Sequence, residues 1–263
     1  MPKFRLLTFS VVVFLLVTAV FDIAFSVPWW LYAVQVAVYV GVVAYGCWSI
    51  HAQLFLPIHT NSKARSGEVS ITFDDGPVPG KTEQILRILS DHSVSAAFFC
   101  IGKNVRDNPS LTMEIYNAGH LLGNHSFYHR PTFDLQTTSS IERELTLTDQ
   151  AIEQAVGVLP RFFRPPYGVT NPMVARAVKR RRYETIGWSV RSFDTIIRNP
   201  SRLLKRLTKS LSGGDIILLH DYSDATISAL PELLAHINNI GLKIVRVDEL
   251  LNEKAYRRYS NVE

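Results

Sequence analysis

The sequence predicts a barrel-like α/β domain that is preceded by a hairpin of two membrane-spanning helices. Three observations favour this architecture. Two long apolar segments lie at the N-terminus, short apolar runs alternate with helical patterns after them, and no glycine-rich phosphate loop is present. Short buried strands that alternate with helices are typical of parallel βαβ units. Seven such strands without a phosphate loop favour a barrel over a dinucleotide-binding fold.

Residues 1–50 are predicted to form the membrane segment, with helices at about 6–25 and 29–50. The second helix carries no charge, and Asp22 is the only charged residue in the first. A helix needs roughly 20 apolar residues to cross a bilayer, so both segments are long enough. A cleaved signal peptide is the alternative for the first segment, because Lys3 and Arg5 precede it.

Basic residues predict the orientation of this hairpin. Lys3 and Arg5 precede the first helix, Lys63 and Arg65 follow the second, and the turn at 22–28 has no basic residue. The positive-inside rule then places both ends, and the domain after them, on the cytoplasmic side of the membrane. We therefore expect a multi-pass membrane protein with two spans.

After the hairpin, residues 51–66 are polar and are predicted to be a linker. The globular domain is predicted over 67–252, and a basic C-terminal tail over 253–263. The expected strands are the apolar runs VSITF (69–73), AAFFCIG (96–102), HLLGN (120–124), RFFRP (161–165), ETIGWSV (184–190), DIILLH (215–220) and KIVRV (243–247).

Helices are predicted between these runs, at 82–92, 139–156, 171–183 and 200–211. The last of them should begin at Asn199-Pro200, because Asn caps helix N-termini and Pro is favoured in the first turn. Gly213-Gly214 is the expected stop. Leucines recur at helical spacing in this segment, at Leu203, Leu204, Leu207 and Leu211.

The net charge of +5 places constraints on the partners. Nucleic acid is not expected as a partner, because no reading element or aromatic stacking platform accompanies the charge. Two basic helix faces are interpreted as solvated, with anionic lipid headgroups as the alternative contact: Arg176 with Lys179–Arg182, and Arg198, Arg202, Lys205, Arg206 and Lys209. Cys47 and Cys100 are not expected to pair.

Polar residues follow the predicted strands at the points where each run ends. They are Asp74-Asp75, His125 and His129, Arg164 to Gly168, Asp194, and His220-Asp221. The carboxyl ends of barrel strands share one face, and that face carries the chemistry in α/β barrels. We therefore expect these groups to meet in one pocket.

His125 and His129 are four residues apart, and a carboxylate beside them would complete a three-ligand metal site. A His-x-x-x-His pair is a weak signal alone, and Asp-Asp-Gly-Pro alone would be interpreted as a turn. Together they favour a metal. A cation would offset the repulsion between Asp74 and Asp75, so that one carboxylate binds it while the other acts as a general base.

These residues resemble a known family. TFDDGP at 72–77, HSFYH at 125–129, RPPYG at 164–168 and LLHD at 218–221 are similar to motifs of the polysaccharide deacetylases, the NodB-homology group of carbohydrate esterases (family 4). The resemblance covers about 67–251, in the order of the family's motifs. It implies a distorted, incomplete (β/α)7 barrel.

The resemblance also implies a role for each site residue. Asp74 is then the base, His220 the acid, Arg164 the group that orients the base, and the backbone amide of Tyr167 an oxyanion donor. The implied metal ligands are Asp75, His125 and His129, with zinc expected and cobalt, nickel or iron as alternatives. The implied substrate contacts are Leu218, Pro166 and Trp188.

The activity implied is hydrolysis of an N-acetyl group from an amino sugar, in a polysaccharide, a wall glycan or a lipid-linked saccharide. An O-acetyl polysaccharide esterase and a catalytically impaired glycan-binding module are the alternatives. Because two spans are predicted, we expect a substrate near the bilayer and contact with membrane lipids. No obligate protein partner is inferred.

One motif departs from the family. Arg191 and Thr195 stand where the family often has Asp and Trp, and Asp194 matches the remaining carboxylate of the charge network. The sequence therefore does not establish which charges control the protonation of His220. His120 lies near the metal pair but begins an apolar run, so it is interpreted as a structural histidine.

Overall fold

The structure, a computed structural model, describes residues 2–257. Its helices are α1 (Pro2–Phe25), α2 (Trp29–Trp48), α3 (Thr82–Asp91), α4 (Gly102–Asp107), α5 (Pro109–Asn117), α6 (Thr138–Val156), α7 (Pro172–Arg180), α8 (Pro200–Thr208), α9 (Asp224–Asn239) and α10 (Val247–Leu251). Its strands are β1 (Glu68–Asp74), β2 (Ala97–Cys100), β3 (Leu121–Asn124), β4 (Leu159–Pro160), β5 (Phe162–Phe163), β6 (Glu184–Thr185), β7 (Val190–Arg191), β8 (Ile216–His220), β9 (Lys243–Ile244) and β10 (Tyr256–Arg257).

The main sheet is parallel throughout and forms an open barrel. Its strand order is β6-β5-β3-β2-β1-β8-β7, and β9 pairs with the start of β1. Within residues 2–257 no ladder joins the two outer strands, β6 and β7, so the barrel does not close. The predicted incomplete α/β barrel is confirmed in this respect.

The run at 184–190, predicted as one strand, is split into β6 and β7, which form the two edges of the open sheet. Gly187 lies at the break, and glycine in a strand often marks a bend. A Cβ at this position would lie 3.0 Å from side-chain atoms of Ile50, Ile58 and Thr60. Residues 50–60 therefore pack closely against this glycine, and a larger side chain would have to displace them.

The segment at 51–66, predicted to be a linker, packs on the open side of the barrel. Phe55 and Ile58 are buried, His59 bridges to Ile186 directly after β6, and Asn61 bridges to Asp215 directly before β8. The apolar run at 54–58 is the signal of this packing, but it is short and lies in an otherwise polar segment. The domain limits at 67 and 252 stay predictions.

Helix ends follow the predicted capping chemistry in part. The side chain of Asn199 accepts the N–H of Arg202, and Pro200 begins α8, as expected. Leu203 and Leu207 are buried on this helix. The helix ends at Thr208, before the predicted glycine stop. Of the predicted tail, 256–257 form β10 and pair with β4, whereas 258–263 lie outside the described residues.

The core lies between the sheet and the surrounding helices. Phe73 and Phe98 stack there with ring centroids 5.0 Å apart. The ring of His120 packs against Phe98, and its Nδ1 accepts the N–H of Ala96 at 3.1 Å. Burial lowers the pKa of His120 to about 4, so the ring is neutral. Its predicted structural role is confirmed.

The two N-terminal helices are long and apolar enough to cross a membrane. Two hydrogen bonds join the helices. The hydroxyl oxygens of Thr8 and Tyr39 lie 3.0 Å apart, and Nε2 of Gln35 donates to Oγ1 of Thr18 at 2.7 Å. Most of their large apolar side chains face outward. Such a surface is unfavourable in water and favourable in lipid. Both cysteines are free thiols, as predicted.

Candidate functional site

The polar segments meet at the carboxyl edge of the sheet. Asp74 ends β1 and pairs in register with His220, which ends β8. Asn124 ends β3 beside Cys100, the last residue of β2, and His125 follows directly. Because parallel strands end at the same edge, these residues face one pocket.

Asp74 and Arg164 form a buried ion pair in this pocket. Nη1 of Arg164 lies 2.7 Å from Oδ1 of Asp74, and the two side chains are 0% and 4% exposed. The guanidinium also donates to Thr72 Oγ1 and to the carbonyl oxygens of Ile186 and Gly187. These bonds fix the carboxylate in one orientation, which suits the orienting role predicted for Arg164.

The electrostatics of Asp74 favour proton uptake. Burial raises the pKa of this carboxyl group, while the positive charges of Arg164 and His220 oppose the shift. A carboxylate with a raised pKa is a stronger base. Its free oxygen, Oδ2, lies 3.7 Å from Nε2 of His125, so it faces the neighbouring histidine cluster.

Asp75, His125 and His129 bring one ligand atom each to within 4.8 Å of one another. Oδ1 of Asp75 lies 3.5 Å from Nε2 of His125 and 3.4 Å from Nε2 of His129. Among the described residues this buried oxygen has no hydrogen-bond partner. Nδ1 of His125 donates to the carbonyl of Arg164 at 2.7 Å, which leaves the Nε2 lone pair directed at the cluster.

These three residues fit a divalent metal. Burial lowers the pKa of His125 well below its usual range, the charge of His129 adds to the shift, and burial also lowers the pKa of His129. Neutral imidazoles and a carboxylate are ligands of catalytic zinc sites. A buried carboxylate oxygen without a partner is costly, and a bound cation would remove that cost.

The loop that carries the two histidines is held by residues that sequence reasoning missed. The side-chain oxygen of Asn124 accepts the N–H of Ser126 at 3.0 Å. Oε2 of Glu144 accepts the N–H groups of Phe127 and Tyr128. Asn124 precedes the motif directly and could have been noticed, whereas Glu144 lies on α6, where the sequence gives no signal of this contact.

The RPPYG segment forms a tight turn beside the pocket. Tyr167 has a φ of 59° and Gly168 a φ of 72°, both in the left-handed region. A Cβ at Gly168 would lie 2.5 Å from Cη2 of Trp188, so glycine is required there. Pro166 is buried within this turn, Trp188 packs against it, and Leu218 is buried in the same apolar cluster as Trp188. The resemblance predicts substrate contacts for these three residues.

Two partly exposed tyrosines lie at the rim of the pocket, beside its histidines. Tyr167 and Tyr222 are 49% and 40% exposed. The ring of Tyr167 lies 4.7 Å from that of His129, and the ring of Tyr222 lies 5.6 Å from that of His220. Amphipathic aromatic rings at a rim offer both an apolar face and a hydrogen-bonding hydroxyl to a ligand.

His220 is paired with Asp194 on the other side of the pocket. Its Nδ1 lies 2.7 Å from Oδ1 of Asp194, whose Oδ2 accepts the N–H of His220. Thr226 and Ser192 donate to the same carboxylate. Burial lowers the pKa of His220, but the hydrogen bond and charge of Asp194 outweigh it and raise the pKa to about 9. Nε2 lies 4.0 Å from Oδ2 of Asp75.

Arg191 and Thr195, the departures from the family pattern, do not replace this pairing. Arg191 is exposed, with its guanidinium carbon 4.6 Å from the centroid of the Phe193 ring and 5.6 Å from that of Trp188. Thr195 is also exposed. Among the described residues, the acidic partner of His220 is supplied by Asp194.

A second buried carboxylate supports the DDGP turn. Oδ2 of Asp221 accepts the hydroxyl of Thr82 at 2.6 Å, and a Cβ at Gly76 would lie 1.9 Å from that oxygen. The glycine of the motif is therefore required by packing. Burial raises the pKa of Asp221 to about 7. Its place beside His220 in LLHD was visible in the sequence, but its contact with α3 was not.

Comparison with known proteins identifies the family. The profile of the family described as polysaccharide deacetylase matches residues 61–186. A peptidoglycan-N-acetylglucosamine deacetylase of Bacillus cereus is 34% identical over 191 residues, which cover 71% of this chain and 89% of that protein. The chain belongs to the polysaccharide deacetylase family. The resemblance seen in the four motifs is thereby confirmed.

Other relatives of this chain differ in their named substrate and in length. The peptidoglycan-N-acetylmuramic acid deacetylase PdaA of Bacillus subtilis is 32% identical over 201 residues, 75% of each protein. The peptidoglycan-N-acetylglucosamine deacetylase PgdA of Listeria monocytogenes is 34% identical over 193 residues, 73% of this chain. The matched part is 41% of the Listeria protein, so the chain spans less than half of that relative.

Solved structures confirm the fold of this chain. The Bc1960 peptidoglycan N-acetylglucosamine deacetylase superposes with a TM-score of 0.72 at 25% identity, over 75% of this chain and 94% of that one. A CE4 family pseudoenzyme from Bacillus anthracis superposes with a TM-score of 0.69 at 29% identity, over 74% and 69% of the two chains. The same fold therefore occurs with and without activity, so the residues of the site determine whether a chain with this fold is an enzyme.

Proposed function

We propose that this chain is a metal-dependent hydrolase that removes the N-acetyl group from an amino sugar, with Asp74 as base and His220 as acid. One observation supports this most. A buried carboxylate paired with Arg164, a three-ligand cluster and a histidine paired with Asp194 converge in a single pocket.

Asp75, His125 and His129 would hold the metal, and zinc is our first candidate, with cobalt, nickel or iron as alternatives. A divalent cation bound there supplies a Lewis acid for the acetamide carbonyl.

In the first step Asp74 accepts a proton from the attacking water, whose oxygen forms a bond to the carbonyl carbon of the acetamide. Arg164 keeps the carboxylate in position through its hydrogen bonds. The carbonyl oxygen gains negative charge, and the backbone N–H of Tyr167 donates a hydrogen bond to it. Donors placed where charge develops lower the barrier more than any contact to the ground state does.

In the second step His220 donates its Nε2 proton to the leaving nitrogen and the C–N bond breaks. The products are acetate and a free amine. With a pKa of about 9, His220 carries this proton at neutral pH. Asp194 stabilises the imidazolium and fixes the orientation of the ring.

The substrate we propose is an N-acetylated glycan of the peptidoglycan type. The named activities of the relatives support it, because they act on N-acetylglucosamine or N-acetylmuramic acid in peptidoglycan. The rim tyrosines offer flat faces for sugar rings. Leu218, Pro166 and Trp188 would enclose the acetyl group, since Pro166 is buried in the RPPYG turn, Trp188 packs on it and Leu218 shares the apolar cluster of Trp188.

We further propose that α1 and α2 anchor the domain in a membrane. The N–H of Thr170 donates to the carbonyl of Cys47, in the last turn of α2, at 3.1 Å. Thr170 is three residues beyond Tyr167, at most about 11 Å of extended chain. The pocket would therefore lie close to the bilayer surface, where a lipid-linked saccharide or nascent glycan could reach it.

The test is acetate release by the full chain from N-acetylglucosamine oligomers, with and without a chelator. We expect release that the chelator abolishes and added metal restores. An O-acetylated xylan serves as the second substrate, because faster release from it would favour the esterase alternative. Asp91→Asn, an exposed substitution on α3, is the matched control for changes at Asp74.

Failure to release acetate from either substrate, together with retained glycan binding, would support the impaired binding module instead. A reporter fused after the last residue tests the cytoplasmic side expected from the basic residues. A cytoplasmic domain favours a lipid-linked saccharide as the substrate, and an outward-facing domain favours a peptidoglycan glycan. Binding of the chain to anionic and neutral nanodiscs tests the proposed lipid contacts.

A further inference from the structure

A groove of about 450 Å³ lies between β7 and α8. We refer to it as the β7–α8 groove. Its lining includes five basic side chains and no carboxylate: Arg191, Arg202, Lys205, Arg206 and Lys209.

Two of these cations are held close together. The guanidinium carbons of Arg191 and Arg206 lie 4.6 and 4.3 Å from the centroid of the same Phe193 ring. Nε of Arg206 donates to the carbonyl of Arg191 at 2.9 Å. Burial lowers the pKa of the Arg191 guanidinium, and the charge of Arg206 lowers it further.

The backbone is strained where this arrangement is built. Phe193 has a φ of 57°, which bulky side chains rarely adopt. Such strain costs roughly 1–3 kcal/mol and concentrates at functional sites. Here the strained residue carries the ring against which both guanidinium groups rest.

The cations of the groove lack acidic partners. Among residues 2–257, none of the five has a carboxylate within 4.0 Å. The basic residues on and after α7 differ, since Arg180 pairs with Glu142 and Arg181 pairs with Asp149. A solvated basic face would explain charge, but not two like charges stacked on one ring.

The groove is close to the reacting groups. Arg191 pairs in register with Leu218, two residues before His220 on β8. The Trp188 ring has the guanidinium of Arg191 5.6 Å from its centroid and that of Arg164 at 5.8 Å. A substrate in the pocket could therefore extend into the groove.

We propose that the β7–α8 groove binds an anionic group, a phosphate or a carboxylate, that the acetylated saccharide carries beside the sugar to be deacetylated. This inference rests on the proposed function. Guanidinium groups bind such oxyanions with paired, charge-assisted hydrogen bonds. The anion would also relieve the repulsion between Arg191 and Arg206. The cation at 191, where the family often has Asp, then selects for charge in the substrate.

The experiment compares three substrates of equal length with the full chain in neutral nanodiscs. They are a neutral N-acetylglucosamine tetramer, the same tetramer as its 1-phosphate, and a tetramer that contains N-acetylmuramic acid. We expect at least one anionic substrate to have a kcat/KM about tenfold above the neutral one. Arg191→Gln and Arg206→Gln should each remove most of that preference, and Arg206→Lys should retain part of it. Arg87→Gln, on the exposed face of α3, is the charge control.

Binding of inorganic pyrophosphate, measured by calorimetry, gives a readout that does not need activity. We expect Arg206→Gln to weaken this binding about tenfold and Arg87→Gln to leave it unchanged. The inference would be overturned by equal kcat/KM values for all three substrates together with a pyrophosphate affinity that is unchanged in Arg191→Gln and Arg206→Gln. It would also be overturned if Arg191→Gln and Arg206→Gln changed only the affinity of the chain for anionic nanodiscs. Pyrophosphate binding that depends on Arg206 without acetate release would support the groove and contradict the proposed function.

Discussion

The two sides of the pocket are built differently. On the base side, Asp74 and Arg164 are almost inaccessible to solvent and lie at strand ends or directly after them. On the acid side, His220 is 18% exposed, and its partner Asp194 belongs to the loop after β7, directly after the strained Phe193. The base side follows from strand ends and short motifs, whereas the acid side depends on one loop that departs from the family. We expect the base side to control stability and the acid side to control pH dependence.

The largest expected effect is on stability and lies on the base side. Arg164→Met leaves the carboxylate of Asp74 buried without its donor, and breaking a buried pair costs about 3–5 kcal/mol. We expect a loss of that size in the free energy of unfolding, measured by urea denaturation. Arg180→Met, which breaks the exposed pair with Glu142, should cost at most about 1 kcal/mol. Equal losses in the two variants would remove the contrast between buried and exposed pairs.

The next effect lies on the acid side and appears in the pH profile. Protonated His220 is the proposed active form, so the rate falls as pH rises through its pKa of about 9. Asp194→Asn removes the charge that raises this pKa, so the alkaline limb of kcat/KM should move toward pH 6.5. At pH 8.5 the rate should fall by about a hundredfold. An unchanged alkaline limb would show that Asp194 does not tune the acid.

The smallest expected effect concerns the turn beside the base side. Gly168→Ala places a Cβ against Trp188 and also forces alanine into a left-handed conformation. Gly157→Ala tests the second cost alone, because a Cβ there would meet nothing within 4 Å at a similar φ. The difference between the two losses in the free energy of unfolding should be about 1 kcal/mol or more, the usual cost of overpacking. A difference near zero would mean that the turn shifts freely.

This contrast also explains what the sequence could predict. Asp74, His125 and Arg164 were predictable because each follows an apolar run, and strand ends determine where such residues meet. The incomplete barrel was predictable from the resemblance and from the count of runs. The split at Gly187 was not, because one apolar run does not reveal which residues lie at a sheet edge.

Contacts to the site from residues that are distant in the sequence were also not predicted. Glu144 caps the loop of the metal ligands from α6, and Thr226 reaches Asp194 from α9. Phe55 packs on the open barrel from a segment that appeared to be a linker. These contacts depend on how helices pack against the sheet, which local patterns do not specify. The roles assigned to Asp74 and Asp75 remain the central proposal.

The division of labour between these two aspartates is tested most directly by bound metal. We would measure metal per chain and acetate release for the wild type, Asp74→Asn and Asp75→Asn. Asp74→Asn should keep the metal of the wild type while release falls about a thousandfold, as expected for loss of a general base. Asp75→Asn should lose both metal and release. Loss of metal in Asp74→Asn, or retention of metal and release in Asp75→Asn, would contradict the account.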